Sequence, residues 1–431
     1  MRLLIHPTNR RLSSELDIPS SKYHAHRALI LASLAPGRST IAGLTHAKHV
    51  EYTLDLLRAL GTSIQTDGDL FIVEGGPYRP TRSELSVGSS GSTLYFMTGL
   101  AALANRPITL SGQRYFKHRP VQPLLDALGA IGIRVSSNDG CPPLRIESGK
   151  PTGGHVRLPG TLSQWLSGLL LVAPFATHET VIEVDGELNE RPYIELTLSM
   201  MRRFGLQVET SPDWHRYVIA PDQQARPAHV ELPPDIGSAA FGLAIAALHP
   251  SDLLLRGLVL NGAAHDHPEA AFLDVIHEMG LPMQYDASAR GVRIRHDGVR
   301  LRPVHVDCRE TPDILPILSA LGSLAAGETV LENIDHIRLK ESDRVAAMLQ
   351  LNRMGADVRI EGSRLLIRGV DGLNGATLSS YNDHRVLMSL AVAATRASGQ
   401  TLLTYPHAYR ISYPEFLEAM NRIGASMECV D

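Results

Sequence analysis

Six similar segments recur along the chain at intervals of about 70 residues. In each segment a pattern typical of an amphipathic helix ends at a glycine, and a short strand pattern follows. A glycine at this point predicts a helix C-cap in the left-handed conformation, from which the chain turns into the next strand. Most copies continue with a second strand, so the repeats predict sheets covered by helices, an α/β (α+β) fold. The six glycines are Gly61, Gly132, Gly205, Gly280, Gly355 and Gly424.

A polar, proline-containing stretch at 220–227 separates the third copy from the fourth. Such a composition is typical of a linker between domains. The 431 residues suit two domains of about 200 residues each. We therefore predict two domains with three copies of the repeat in each.

Composition and charge exclude several classes of protein. The formal net charge of −4 gives no overall attraction to nucleic acid or to an anionic membrane, so any anion site must be local. Cys141, Cys308 and Cys429 are widely spaced and form no metal-ligand pattern, which favours a reduced, cytoplasmic setting. Neither a signal peptide nor an apolar stretch long enough to span a membrane is found.

Polar clusters occur repeatedly where a predicted strand leads into a predicted helix. Several of them bring a Lys or Arg to a helix N-terminus, where a cation opposes the helix dipole unless an anion is bound. Each cluster alone is also typical of a solvated helix start. An Asp-His pair in the last one suggests a hydrolase, although no Ser or Cys elbow accompanies it. Together they predict a small polyanion held between the two domains. The clusters lie at 18–27, 87–93, 116–120, 160–164, 335–344 and 382–385.

In their order and spacing these clusters resemble the motifs of the enolpyruvyl transferases, most closely those of the 5-enolpyruvylshikimate-3-phosphate synthases. The resemblance covers essentially the whole chain and rests also on 191–194 and 311–313. It implies a two-globule inverse α/β barrel of six repeated βα units, three per globule, which closes on its substrates. Residues 19–227 would form the N-terminal globule, and residues 1–18 would join 228–431 in the C-terminal globule.

The resemblance also implies the reaction and the residues that perform it. A carboxyvinyl group would pass from phosphoenolpyruvate to a hydroxyl of shikimate 3-phosphate or a related cyclitol or polyol, with release of phosphate and without a metal or other cofactor. Glu341 would exchange the methyl proton, Asp313 would accept the hydroxyl proton, and Lys22 would assist the transfer. The residues expected to bind phosphoenolpyruvate are Gly91, Arg119, Gln164, Arg344 and Arg385. The residues expected to bind the acceptor are Tyr23, Arg27, Ser163, Glu190, Tyr193, His336 and Lys340.

Several positions depart from the family pattern. Residues 22–27 read Lys-Tyr-His-Ala-His-Arg where the family has Lys-Ser-x-Ser-Asn-Arg. Leu162 and Glu190 replace serines on the side expected for the acceptor's phosphate, and Ile411, next to Arg410, replaces a lysine. A carboxylate at this distance from a phosphate would cost several kcal/mol unless it is neutralised or turned away.

These departures allow more than one reading of the acceptor. The chain is a paralogue with a different, non-phosphorylated acceptor, or Glu190 pairs with a nearby cation and the ordinary acceptor still binds. The loss of the lysine at Ile411 also allows a non-catalytic binding or regulatory paralogue. The sister family that uses UDP-N-acetylglucosamine has a reactive cysteine without counterpart at 112–117, and no nucleotide loop supports a phosphoryl transferase. We expect small-molecule substrates, no nucleic acid and no membrane as partners; the oligomeric state is not predicted.

Overall fold

A computed structural model describes residues 1–113, 116, 119–260 and 266–431. Lys117 and His118 of the cluster at 116–120 lie outside the described residues, as does part of the loop at 112–117. The chain divides into two compact units. We call Ser20–Pro233 the N unit, and Met1–Pro19 together with Pro234–Asp431 the C unit.

Strands are short, as the alternating patterns predict. They are β1 (Arg2–His6), β2 (Leu12–Asp17), β3 (Gly37–Ala42), β4 (Ser63–Asp67), β5 (Leu70–Gly75), β6 (Glu84–Ser86), β7 (Ile108–Ser111), β8 (Val135–Asn138), β9 (Cys141–Ile146), β10 (Gly154–Pro159), β11 (Thr180–Asp185), β12 (Glu209–Thr210), β13 (Arg216–Ile219), β14 (His229–Glu231), β15 (Ser251–Arg256), β16 (Gln284–Asp286), β17 (Gly291–His296), β18 (His305–Asp307), β19 (Glu328–Glu332), β20 (Asp357–Glu361), β21 (Arg364–Arg368), β22 (Thr377–Leu378), β23 (Thr401–Leu403) and β24 (Ser426–Val430).

Helices alternate with these strands along the chain. The α-helices are α1 (Lys22–Leu34), α2 (Lys48–Ala59), α3 (Gly91–Leu100), α4 (Gln122–Ala130), α5 (Ser163–Val172), α6 (Arg191–Arg203), α7 (Ile236–Leu248), α8 (Phe272–Glu278), α9 (Leu315–Gly322), α10 (Arg344–Met348), α11 (His384–Ala394) and α12 (Phe416–Ile423). Two of the 3-10 helices, Pro312–Ile314 and Asp335–Leu339, precede α9 and α10. No helix among the described residues is both long and apolar enough to cross a membrane.

One sheet pattern occurs six times in the described residues, three times in each unit. Every sheet has four strands, with a parallel pair at one edge and antiparallel pairing elsewhere. The orders in the N unit are β14-β3-β5-β4, β6-β7-β9-β8 and β10-β11-β13-β12. The orders in the C unit are β2-β15-β17-β16, β18-β19-β21-β20 and β22-β23-β1-β24. The repeat in the sequence is therefore a repeat of one sheet with its helices.

Strand pairing determines which residues at the start and in the middle of the chain belong to each unit. At the start of the chain, β1 pairs with β23 and β24, and β2 pairs in parallel with β15, so these residues complete two sheets of the C unit. After the third repeat, β14 pairs in parallel with β3, which keeps residues up to Pro233 in the N unit. The predicted linker at 220–227 also lies within the N unit, where the Arg226 N–H donates to the carbonyl of Phe204 at 2.8 Å. The unit boundary thus follows Pro233 rather than residue 227.

All six repeat glycines have positive φ values, between 80° and 114°. This conformation is nearly free of strain only for glycine, because it has no Cβ to meet the following carbonyl. The prediction that each one turns the chain from a helix into a strand is confirmed.

Three helices in each unit are almost wholly buried. They are α1, α3 and α5 in the N unit and α7, α9 and α11 in the C unit. After polar residues at the starts of several of them, such as those among the first six residues of α1, their sequences are largely apolar, as expected for helices covered on every side. Four of the six predicted polar clusters lie at or next to the N-termini of these helices, where free N–H groups and the helix dipole favour an anion. The clusters at 116–120 and 335–344 precede α4 and α10 instead. The fold therefore places many of the candidate site residues at the N-termini of helices.

Candidate active site

Arg344 forms the centre of a charged cluster in the C unit. Its side chain is wholly buried. Nε donates to Oδ2 of Asp383 at 2.9 Å, Nη1 to Oδ1 of Asp313 at 2.6 Å and Nη2 to Oε2 of Glu341 at 2.7 Å. Burial lowers the pKa of Arg344, but the three carboxylates raise it well above its ordinary value. The two predicted acid/base residues, Asp313 and Glu341, therefore share one arginine.

A second buried arginine, Arg385, lies on the other side of Asp313. Its Nη2 is 3.3 Å from Oδ2 of Asp313, and its Nη1 donates to the carbonyl of Gly237 at 2.7 Å. A Cβ at Gly237 would lie 2.7 Å from both terminal nitrogens, so only glycine admits the guanidinium this close to the start of α7. Arg344 and Arg385 thus present two guanidinium forks, a shape that matches carboxylate and phosphate groups.

Two acidic residues of this cluster were not predicted. Asp383 caps α11, with Oδ1 accepting the N–H of Arg385 at 2.8 Å, while its Oδ2 accepts from Arg344 and from Ser342 Oγ at 3.0 Å. The sequence signalled Asp383 only as part of the Asp-His pair at 382–385. Glu269 is buried and its Oε1 accepts the Asp313 N–H at 3.4 Å. No motif surrounds Glu269, so its contact with Asp313 could not be predicted from the sequence.

His336 and Lys340 precede Glu341 closely in the chain. His336 is buried in the 3-10 helix Asp335–Leu339, and Lys340 is half-buried directly after it. Lys340 N–H lies 3.4 Å from the carbonyl of Ile337, which holds this segment against the end of the 3-10 helix. Both predicted acceptor residues therefore belong to the segment that carries Glu341.

In the N unit, the residues predicted for phosphoenolpyruvate are brought together around Arg119. Its Nη2 donates to Oε1 of Gln164 at 3.0 Å, and the guanidinium lies over the ring of Tyr95, 5.3 Å from the centroid. A Cβ at Gly91 would lie 2.5 Å from Nη1. The guanidinium is therefore next to the N-termini of α3 and α5, where the helix dipoles are also positive. Such a concentration of positive charge is typical of an anion-binding site.

A second group in the N unit joins α1 to α6. Arg27 is buried and donates to Thr197 Oγ1 at 2.8 Å, to the Tyr23 carbonyl at 3.0 Å and to the Tyr193 carbonyl at 3.1 Å. Burial lowers the pKa of Arg27 to about 9. The rings of Tyr23 and Tyr193 meet edge to face at 5.3 Å, and Lys22 Nζ lies 4.6 Å from the Tyr23 centroid. The predicted acceptor residues of α1 and α6 are thus neighbours.

A buried polar chain links this group to α3. His26 Nδ1 lies 2.8 Å from Thr53 Oγ1, which lies 2.6 Å from Thr93 Oγ1, and that hydroxyl donates to Ser90 Oγ at 2.7 Å. Burial, followed by the charges of neighbouring basic groups, holds the pKa of His26 well below its ordinary value. His26 is therefore a neutral hydrogen-bonding residue near neutral pH.

Glu190, the main departure from the family pattern, contacts Ser163. The side chain is wholly buried, and the residue has φ 60° immediately before α6. Its Oε2 accepts the Ser163 N–H at 3.1 Å and the Ser163 hydroxyl at 2.5 Å. Since Ser163 begins α5, the carboxylate of Glu190 lies at the N-terminus of that helix.

The substituted C-terminal lysine position is apolar in its surroundings as well. Ile411 belongs to the hydrophobic core of the C unit. The neighbouring Arg410 is exposed, and its guanidinium lies 5.9 Å from the centroid of Tyr409. Arg410 thus extends outward from the 3-10 helix Ala408–Ile411 rather than into the core that Ile411 fills.

Cations of the protein, rather than metal ligands, dominate these sites. Within the described ranges, no group of three or more His, Cys, Asp or Glu residues is arranged to hold a metal ion. The cysteines are free thiols, and burial raises the pKa of Cys308.

Comparisons with known proteins agree over nearly the whole chain. The model of the EPSP synthase (3-phosphoshikimate 1-carboxyvinyltransferase) family matches residues 7–420. The 3-phosphoshikimate 1-carboxyvinyltransferase of Methanocaldococcus jannaschii is 33% identical over 436 residues, covering 99% of this chain and 100% of that protein. The protein of the same name from Acetivibrio thermocellus is 33% identical over 430 residues, 99% of each chain.

Solved structures match the fold. EPSP synthase from Acinetobacter baumannii aligns with a TM-score of 0.80 at 24% identity, covering 99% of both chains. The enolpyruvyl transferase NikO from Streptomyces tendae aligns with a TM-score of 0.76 at 21% identity, covering 99% of this chain and 98% of the other. These neighbours share the mixed α/β fold, and the match of the family model together with the identity to full-length relatives shows that the chain belongs to the EPSP synthase family.

Proposed function

We propose that the protein transfers the carboxyvinyl group of phosphoenolpyruvate to a hydroxyl of shikimate 3-phosphate or of a closely related hydroxylated ring. The acceptor hydroxyl adds through its oxygen to C2 of phosphoenolpyruvate while a proton is added to C3. A proton then leaves C3 and phosphate leaves C2, which restores the double bond as an enol ether. The relatives' names support this reaction and a transferase activity.

The observation that carries the proposal is the sharing of Arg344 by two carboxylates. The reaction needs one group to deliver and remove a proton at carbon and another to accept the hydroxyl proton. Asp313 and Glu341 bind the same guanidinium through Nη1 and Nη2, so they lie within reach of one small substrate. We assign Glu341 to the carbon proton, Asp313 to the hydroxyl proton, and Lys22 to assistance from the N unit.

Substrate binding is assigned to arginine clusters in both units. In the N unit, Arg119 with Gln164 and the Gly91 backbone would hold phosphoenolpyruvate. In the C unit, Arg344 and Arg385 would do so by exchanging part of their bonds to protein carboxylates for bonds to substrate oxygens. This exchange would release the carboxylate oxygens of Asp313 and Glu341 for proton transfer, because Arg344 would then bind the substrate in their place.

The architecture implied by the family belongs to this proposal. We propose an inverse α/β barrel of three repeated units in each globule, with the acid/base residues in the C-terminal globule. The acceptor contacts would come mainly from the N-terminal globule, with His336 and Lys340 added from the other. The predicted cytoplasmic location rests on the sequence alone.

Phosphate release from phosphoenolpyruvate in the presence of shikimate 3-phosphate tests the reaction. Asp313→Asn and Glu341→Gln should each lower kcat by ~100-fold or more, the usual loss when an acid or base is removed. Glu341→Gln should also stop exchange of the phosphoenolpyruvate methylene hydrogens with D2O. The control is Asp343→Asn, an exposed carboxylate that pairs with Arg338.

A non-catalytic binding protein is the second candidate, and it is favoured by the apolar surroundings of Ile411, where the family has a lysine. Binding of phosphoenolpyruvate without phosphate release from any acceptor would support that candidate. It would contradict the proposed transfer.

A further inference from the structure

The N-terminus of α5 already holds an anion that belongs to the protein. The ten residues of α5 begin at Ser163, and the helix N-terminus presents free N–H groups and a positive dipole. Oε2 of Glu190 accepts both the N–H and the hydroxyl of Ser163. A phosphate or carboxylate of a ligand would ordinarily fill such a position. Here a buried glutamate fills it.

The position of Glu190 is built into the backbone. The residue has φ 60° and ψ 36°, a left-handed conformation that costs free energy for any residue with a Cβ. Arg191 and Pro192 follow directly as the first turn of α6, so the backbone at Glu190 is set by the start of that helix. The hydroxyl contact of 2.5 Å is in the range of charge-assisted hydrogen bonds. The carboxylate is therefore a fixed part of the site.

The neighbours of this pair belong to both predicted substrate groups. Gln164, which follows Ser163, accepts from Arg119 of the anion-binding cluster. Tyr193, on the first turn of α6 after Glu190, packs against Tyr23 of the acceptor group. The Ser163–Glu190 contact thus lies where the two groups of the N unit adjoin.

We propose that Glu190 is a specificity-determining residue, which selects an acceptor that presents a hydroxyl or ammonium group, and not a phosphate, to the N-terminus of α5. This inference rests on the proposed function and narrows its acceptor. A carboxylate a few ångströms from a phosphate disfavours binding, whereas it accepts a hydrogen bond from a hydroxyl and attracts an ammonium group. The residue before Ser163 is Leu162, which is buried and offers no hydroxyl to a phosphate.

The test compares shikimate 3-phosphate with shikimate, the same ring without phosphate, in the wild type and in three variants. Glu190→Ser removes the carboxylate, and Glu190→Gln keeps its shape without its charge. Glu195→Gln is the control, since it removes a half-exposed carboxylate from the same helix. We expect the wild type to have a lower KM for shikimate than for shikimate 3-phosphate. Both Glu190 variants should lower the KM for shikimate 3-phosphate, on the order of 100-fold for Glu190→Ser.

A merely structural role of Glu190 would not produce this pattern. The KM for phosphoenolpyruvate should stay unchanged in both Glu190 variants. Glu195→Gln should change the KM for neither acceptor. A wild type that uses shikimate 3-phosphate with a KM no higher than those of the two variants would overturn the inference and leave the proposed function intact.

Absence of phosphate release with either acceptor, in the wild type and in all variants, would instead overturn the proposed function. Calorimetric binding of shikimate 3-phosphate then decides the inference by itself. Tighter binding by Glu190→Ser and Glu190→Gln than by the wild type supports it, and equal or weaker binding by both refutes it.

Discussion

Replacing Asp383 with asparagine separates the charge of this buried residue from its capping role. Asp383 caps α11 through Oδ1 and binds Arg344 through Oδ2. Asparagine is as good an N-cap as aspartate, so Asp383→Asn keeps the cap. It removes the negative charge and replaces the acceptor Oδ2 with an NH2 group, which cannot accept from Arg344. A matched residue exists at Asp343, which caps α10 by accepting the Ala346 N–H at 2.9 Å and pairs with Arg338 at 3.0 Å.

The two substitutions should differ widely in cost. Arg344 and Asp383 are both buried, and breaking a buried pair by removing one partner costs about 3 to 5 kcal/mol. Asp313 and Glu341 still face Arg344, so we expect Asp383→Asn to cost about 3 kcal/mol, the lower end of that range. Asp343 and Arg338 are partly exposed, and a pair of that kind contributes about 1 kcal/mol or less.

Urea unfolding of the two variants beside the wild type gives the measurement, with kcat as a second readout. Asp383→Asn should also lower kcat by ~10-fold or more, because Arg344 loses the contact that orients it between Asp313 and Glu341. Asp343→Asn should leave kcat unchanged. Equal destabilisation by the two substitutions would refute the view that Asp383 is a buried counter-charge of Arg344.

Two further predictions follow from close packing and from burial. Gly91→Ala places a Cβ 2.5 Å from Arg119 Nη1 and should raise the KM for phosphoenolpyruvate at least ~10-fold, whereas Gly129→Ala, with no heavy atom within 4 Å among the described residues, should leave KM unchanged. An unchanged KM in Gly91→Ala would contradict the assigned place of Arg119. Burial, and to a lesser extent the charge of Arg396, lowers the pKa of His249 from 6.5 to about 4. Between these two pH values the unfolded chain binds a proton at His249 that the folded chain does not, so stability is lost as the pH falls from 6.5 towards 4. Urea unfolding across this range should give a shallower pH slope for His249→Gln, by up to about 1.4 kcal/mol per pH unit, and an identical slope would refute the assignment.

Local patterns in the sequence predicted much of the fold. A glycine after an amphipathic helix has one favoured role, so the six turns could be recognised without tertiary information. The second strand of a repeat, such as β21, was predicted from alternation of residues that are close in the chain. The division at 220–227 was less accurate, because a polar composition does not reveal that β14 pairs with β3.

The sequence by itself determined the six repeats, the family and the polar clusters at the helix starts, since each depends on residues that are neighbours in the chain. Only the tertiary structure decided which clusters meet. Arg344 contacts Asp383 across 39 residues of chain, and Glu190 contacts Ser163 across 27. Such contacts arise because helices that are separated in the chain pack side by side, α10 with α11 from the next repeat and α5 with α6 within one repeat. No local propensity encodes that arrangement. The change from serine to glutamate at position 190 was visible in the sequence. The position of the Glu190 carboxylate at the N-terminus of α5 was not.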